Sequence, residues 1–216
     1  MSMLAPLLQK FFTDRLTQEQ RMSHHTVAAY RDTFRLLLEF AQRRLKKEPS
    51  CFALCDIDAT LVGEFLNDLQ SCRKNSVRTR NARLAAISSF FRYISVHEPA
   101  HLAQISRVLA IGQKRFERNI VRFLNQHEVD AILSAPNRNS WLGRRDHALL
   151  LLAVQTGLRV SEITGLRCED IVLESSAHVR CRGKGRKERC TPLTRQTASV
   201  LRTWLRERNG APTDAL

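Results

Sequence analysis

Two cationic side chains sit where they could do chemistry on a charged oxygen. Arg159 lies in Thr156-Gly157-Leu158-Arg159-Val160-Ser161-Glu162-Ile163, where a glycine permits a sharp turn and the next residues restart a helix. A guanidinium there offers a rigid fork of donors that stays charged, and the free amides of a helix N-terminus add to its attraction for phosphate. Glu162, three residues on, is placed to hold that arginine in position. The competing expectation is an ordinary Arg159–Glu162 pair on an exposed helix. Lys184 lies in Arg182-Gly183-Lys184-Gly185-Arg186-Lys187-Glu188-Arg189. A flexible ammonium on a tight turn reaches a leaving oxygen and donates its proton where its surroundings allow transfer near neutral pH. The alternative is a solvated basic hairpin.

The elements that must position these residues can be read outward from them. The helix from about Trp141 to Gln155 has too many apolar residues for one face, which predicts a place at the centre of its domain. Segments 171–173, 178–182 and 188–191 read as three short strands, with Pro192 ending the last and Lys184 in the turn between the second and third. Thr194 starts a final helix whose Val200, Leu201, Trp204 and Leu205 point inward. Upstream, Asn125 and Glu128 form a capping box for a helix through Ala135, with Val129, Ile132 and Leu133 inward.

The first half of the chain is helical throughout. A short amphipathic helix runs from Leu4 to Leu16. Ser23 caps a second helix, with the stripe Val27, Tyr30, Phe34, Leu37, Leu38, Ala41 and Leu45. A third starts near Ala59. Ser76 caps a long fourth, with Val77, Leu84, Ile87, Phe91 and Ile94 inward, until His97-Glu98-Pro99 ends it. Four such helices close a small bundle. The core pattern thins after residue 100. The expected organisation is therefore a helical domain over 1–110, a linker over 111–122 and a second domain over 123–216.

Charge and composition narrow the function classes. Lys plus Arg number 35 against 21 Asp plus Glu, a net charge of +14, which favours a polyanionic partner. Arg31 and Arg35 project off the second helix's stripe. Arg73, Lys74, Arg78, Arg80 and Arg83 follow with no acid between Asp68 and Glu98, which points to a phosphate-facing surface over a merely solvated one. Lys114 and Arg115 make the linker basic. Six scattered cysteines suit free thiols in a reducing, cytoplasmic setting, and no histidine follows them at zinc spacing. The longest apolar run, Ala148 to Val154, is too short to span a bilayer, and the N-terminus lacks a signal-peptide pattern. No membrane partner is expected.

Thr156–Ile163, followed through a strand-rich segment by Lys184 on its glycine turn, resembles the first half of the catalytic domain of the tyrosine recombinases, or phage-type integrases, of the XerC/XerD-like kind. His24–Phe40, with Thr26, Tyr30 and Phe34, resembles a helix of their N-terminal core-binding domain, and Arg78–Ile94 resembles that domain's last helix. The resemblance implies a mainly α fold with a small β-sheet: a helical, SAM-like core-binding bundle, then the first part of an α+β catalytic domain. It implies double-stranded DNA as partner, with no metal or cofactor. The implied reaction is attack of a tyrosine on a DNA phosphodiester, giving a 3′-phosphotyrosyl link and a free 5′-hydroxyl. In it Arg159 and Lys184 are catalytic and Glu162 orients, while Arg182, Arg186, Lys187 and Arg189 contact the DNA backbone.

The family's H-x-x-R box, its further His or Trp and its late nucleophilic tyrosine have no counterpart here. The two tyrosines, Tyr30 and Tyr93, fall in the helical half, where they suit packing. The expectation is a truncated member of the family, from a mobile element, that does not cleave DNA alone and acts beside a full-length recombinase or by self-association on DNA. The alternatives are a non-catalytic regulator occupying recombination sites, and a helical nucleic-acid-binding protein outside the family.

Overall fold

The computed structural model describes residues 2–117, 122–183, 188–209 and 214–215. The chain divides into two compact units, Met1–Asn119 and Ile120–Leu216.

The first unit is helical. α1 (Leu4–Lys10) runs directly into a π-helical stretch, Phe11–Glu19, and is followed by α2 (His24–Leu45), α3 (Ala59–Ser71), α4 (Val77–His97) and α5 (Leu102–Leu109). Ser23 and Ser76 accept the amides of Thr26 and Thr79, so the helix starts lie where their caps predict them. Asp58, which the sequence pattern did not single out, caps α3 through the Leu61 amide. Lys46 closes α2 in the left-handed region. The wide winding of Phe11–Glu19 brings Phe11 into an aromatic cluster, with ring centroids 5.5 Å from Phe90, 6.2 Å from Phe34, 5.6 Å from Tyr93 and 6.4 Å from Tyr30. The Phe11 side chain is wholly buried. Phe11→Ala is expected to cost about 3–5 kcal/mol of this unit's stability. Chemical denaturation reads that loss, and one below about 1 kcal/mol would contradict the cluster's central role.

Two features depart from the expected layout. Residues 102–109, inside the expected helical domain but past the point where its core pattern thins, form α5, whose Ile105 and Val108 complete the core. Their spacing puts both on one helix face, a short pattern easily passed over. The basic stretch expected as a linker is held on the first unit, at least to Lys114: Ile111 packs against the core, and side chains of α4 hold the backbone of Gly112 and Lys114.

The second unit comprises α6 (Gln126–Ser134), α7 (Trp141–Thr156), a one-turn α8 (Val160–Ile163), strands β1 (Ile171–Val172), β2 (His178–Arg182) and β3 (Glu188–Pro192), and α9 (Arg195–Arg208). The sheet is antiparallel in the order β1-β2-β3, with Val179 opposite both Ile171 and Thr191, and Cys181 opposite Arg189. Asn125 and Glu128 form the expected capping box. Gly157 ends α7 at φ 60°, which a side chain would strain, and this turn aims the chain into α8. A Cβ on Gly143 would strike the Asn137 backbone, so the start of α7 is pressed onto the preceding loop.

The core of this unit runs through Ala148, Leu152, Leu158, Leu166, Ile171, Val179, Leu201 and Trp204. α7 supplies one side through Ala148, Leu151 and Leu152, while Trp141, Leu142 and Val154 are exposed, so its burial is one-sided where all-round burial was expected. α6 buries none of its residues: Val129 and Leu133 are half-covered and Ile132 is exposed. The physical reason is the same for both. α7 meets chiefly α9 and α6, which leaves its remaining apolar directions without a packing layer.

Candidate functional site

The turn after α7 places Arg159 as the residue that caps α8, with extended backbone at φ −68° and ψ 153°. Three residues later the helix carries Glu162, whose side chain folds back. Its Oε2 accepts the Arg159 amide at 2.7 Å, and its Oε1 accepts the Arg159 Nη1 at 3.1 Å. The same carboxylate also accepts Arg189 Nη2 from β3 at 3.0 Å. Glu162 is buried, at 8% exposed, while the two arginines reach outward from it. It is a hub: the expected Arg159–Glu162 pair is present, with its carboxylate buried and shared with Arg189.

The electrostatics follow from these contacts. The Arg159 backbone N–H is the largest influence holding the Glu162 carboxyl below its ordinary range, against the opposing effect of burial, and the two guanidinium groups add to it. Arg189 is pushed up, first by its hydrogen bond to the Cys181 sulfur at 3.2 Å and then by Glu162. Its double engagement makes Arg189 a link between hairpin and helix, an internal contact that the sequence pattern did not mark alongside the backbone contact expected of it. Its position directly opposite Cys181 on the paired strand is the signal that strand register supplies. Beside the hub lies a cleft of about 570 Å³, lined among others by Ser161, Glu162, Arg180, Cys181 and Arg189.

Lys184, Arg186 and Lys187 lie outside the described residues, and Arg182 is placed only by its position at the end of β2. β2 and β3, on either side of these residues in sequence, pair in register out to Arg182 opposite Glu188.

The expected nucleic-acid contacts of the first unit separate into three kinds. Arg80 is 5% exposed, with Nη1 on the carbonyl of Gly112 and on Asn81. It faces inward and is corrected from phosphate contact to structural anchor. Arg83 is held by Asp32 at 2.9 Å, and Arg35 by Asp32 at 2.7 Å and Glu39 at 2.8 Å; Arg73 lies 3.9 Å from Glu39. The bonds from Arg35 and Arg83 keep the Asp32 carboxyl below its ordinary range. Arg35 is exposed and can exchange such a pair for a phosphate at little cost. Arg31, Lys74, Arg78 and Arg115 are exposed without an acidic partner among the described residues, as is Lys114, whose Nζ rests on the neutral Gln70. The helix face therefore keeps its unneutralised cations at its edges, because α2 supplies acids to the middle. Tyr30 and Tyr93 are half-buried in the aromatic cluster, and burial pushes the Tyr93 hydroxyl up.

A helical SAM-like unit followed in the chain by an α+β unit with an arginine–glutamate hub next to a basic β-hairpin defines the integrase class of architecture. Residues 10–98 match the phage integrase N-terminal SAM-like domain, and residues 122–216 match the phage integrase family. Among curated relatives, the putative integrase/recombinase y4rC of Sinorhizobium fredii is 58% identical over 94% of this chain and 61% of its own length. The putative integrase/recombinase y4rD of the same organism is 43% identical over 95% of this chain and 73% of its own length. Among solved structures, XerH site-specific recombinase in its post-cleavage complex with a palindromic difH substrate is 26% identical at TM-score 0.65, covering 86% of this chain and 54% of that one. The Tn1549 transposon integrase with transposon right-end DNA shares the fold at TM-score 0.63 and 16% identity, covering 95% of this chain and 66% of that one. The chain belongs to the tyrosine recombinase, or phage integrase, family. It spans roughly three-fifths to three-quarters of these two curated relatives' length.

Proposed function

We propose that this chain binds duplex DNA as part of site-specific recombination or integration of a mobile element, and that its 216 residues do not cleave DNA unaided. The observation that carries this reading is the Glu162 hub, which holds Arg159 at the start of α8 and ties it through Arg189 to β3. In this reading Arg159 binds the equatorial oxygens of the phosphate under attack and Lys184 protonates the leaving 5′-oxygen. Glu162 orients Arg159. The unpaired Arg31, Lys74, Arg78, Lys114 and Arg115 contact the duplex backbone, with Arg182, Arg186 and Lys187 contributing from the hairpin. Arg35 and Arg73 join them by exchanging their surface ion pairs. The family's function, and the transposon right-end DNA bound by the Tn1549 transposon integrase, support the partner. No described helix is long and apolar enough to cross a membrane. The unpaired cysteines suit the cytoplasm. A full-length recombinase, or a second copy bound on the same DNA, would complete the assembly.

A second reading, a regulator that occupies recombination sites without cutting, is favoured by one observation. Both tyrosines pack into the aromatic cluster of the first unit. The two readings separate when a full-length relative is added: rescue of cleavage supports the first, and inhibition of the relative's cleavage supports the second.

Binding itself is tested by titrating the chain against duplex DNA between 50 and 200 mM salt. An affinity loss of about 10³-fold or more is expected if six or more phosphates are contacted. Lys74→Ala with Arg78→Ala should weaken binding to all sequences alike and lower the log–log salt slope by roughly 2. An affinity that barely changes across this range would sink the reading.

A further inference from the structure

The stretch after α5 has no helix or strand of its own among its described residues, 111–117, yet it is held on the first unit by two side chains from one turn of α4. Asn81 makes a two-point contact with a single residue. Its Nδ2 donates to the Lys114 carbonyl at 2.8 Å and its Oδ1 accepts the Lys114 amide at 3.1 Å, as a neighbouring strand would. Arg80 donates Nη1 to the Gly112 carbonyl at 3.2 Å and to Asn81 Oδ1 at 3.1 Å. Both side chains are buried, and the Arg80 Nε has no partner among the described residues. An interior arginine with an unpaired N–H and no carboxylate is an expensive way to fill space. What it secures here is the course of the strap.

That course has a consequence for charge. The Lys114 Nζ lies 2.6 Å from the Gln70 Oε1, an acceptor that leaves its charge uncompensated. Arg115 follows, exposed and with no ion pair among the described residues. Arg78 stands one turn before Asn81 on α4, and Lys74 lies in the α3–α4 turn, just beyond Gln70. Three segments thus bring four cations to one end of the unit, and no described carboxylate pairs with any of them. A free tether would spread its two charges over a wide volume. A fixed one adds them to a surface.

We propose that the buried Arg80–Asn81 pair is a clamp that fixes Gly112–Lys114 on the first unit and makes Lys114 and Arg115 part of a duplex-binding edge with Lys74 and Arg78. Arg80 and Asn81 are positioning residues: they act on the DNA through the strap and do not touch it. This inference rests on the DNA-binding reading above and adds which backbone segment that surface includes.

The test begins with the unaltered chain. Hydrogen exchange should show the Lys114 amide protected; exchange at the rate of an open chain would overturn the clamp. Asn81→Leu keeps the side chain's branching and heavy-atom count and removes both bonds, and Arg80→Met serves if that variant does not fold. In the variant that folds, judged by circular dichroism, protection of the Lys114 amide should be lost. Affinity for random-sequence duplex should fall about tenfold at 200 mM salt, with the salt slope reduced by roughly 2, as for two lost phosphate contacts. Lys114→Ala with Arg115→Ala should reproduce that loss in the parent and add almost nothing in the Asn81→Leu background, which a purely structural defect would not do. Full additivity, or a salt slope unchanged in Asn81→Leu, would refute the clamp while the parent's own steep slope leaves DNA binding standing. A parent with no salt-dependent duplex binding would refute the underlying reading instead.

Discussion

A suicide duplex mixed with the 216-residue chain is expected to yield no covalent protein–DNA adduct. Phosphotyrosyl chemistry needs a phenolic oxygen in line with phosphorus, and that placement supplies a large share of the rate. The chain's two tyrosines both belong to the first unit, where Tyr30 stacks on Phe11 and Tyr93 packs against Phe11 and His97. The burial that pushes the Tyr93 hydroxyl up also makes it a poorer source of phenolate. Joining the part of y4rC that lies outside its match to this chain should give adduct formation if the proposed function holds. In that chimera, Arg159→Ala should lower the cleavage rate by about 10²–10³, the typical effect of losing one donor to a developing oxyanion. Denaturing gels with labelled DNA read both results. An adduct formed by the unextended chain, lost on Tyr30→Phe or Tyr93→Phe and on Arg159→Ala, would overturn the inactive reading.

Much of this architecture was legible because local signals and burial agree. Ser23, Ser76 and Asn125 are caps whose bonds need only the next three residues, and the stripe from Val27 to Ala41 faces the core it predicts. The Thr156–Ile163 turn was legible for the same reason, since Gly157, Arg159 and Glu162 act within one helical turn. Long-range partners were not legible. The runs of arginine in α2 and α4 look alike in sequence, and only packing shows that Arg83 meets Asp32 across 51 residues while Arg80 turns inward to Gly112. Arg189 is the same case, because its bond to Glu162 depends on where β3 sits against α8. The apolar residues of α6 and α7 predict burial from their number, but burial also needs a covering layer. Among the described residues, Ile132, Trp141, Leu142 and Val154 lack one.

Glu162→Gln is expected to loosen the second unit at neutral pH and to lose that effect in acid. The substitution keeps the side chain's size while removing the charge that binds Arg159 and Arg189 together. Charge-assisted bonds are about twice as strong as neutral ones, so local opening of the α8–hairpin junction should rise roughly 10- to 100-fold at pH 7, read by hydrogen exchange at the Arg159 amide and in β3. The pH dependence follows from the direction of the shift. The folded-state pKa of Glu162 lies below the ordinary value of 4.5, so its contribution is fully present above that value and disappears as pH falls through the folded one. Parent and variant should therefore differ by a constant amount from about pH 7 to about pH 5 and converge below 4.5. The convergence reflects protonation of this one carboxylate, since the amide that replaces it does not titrate and every other group is common to both proteins. A gap that persists undiminished at about pH 3 would mean that Glu162 acts through its shape alone. The hub would then no longer explain why Arg159 stays fixed beside the hairpin.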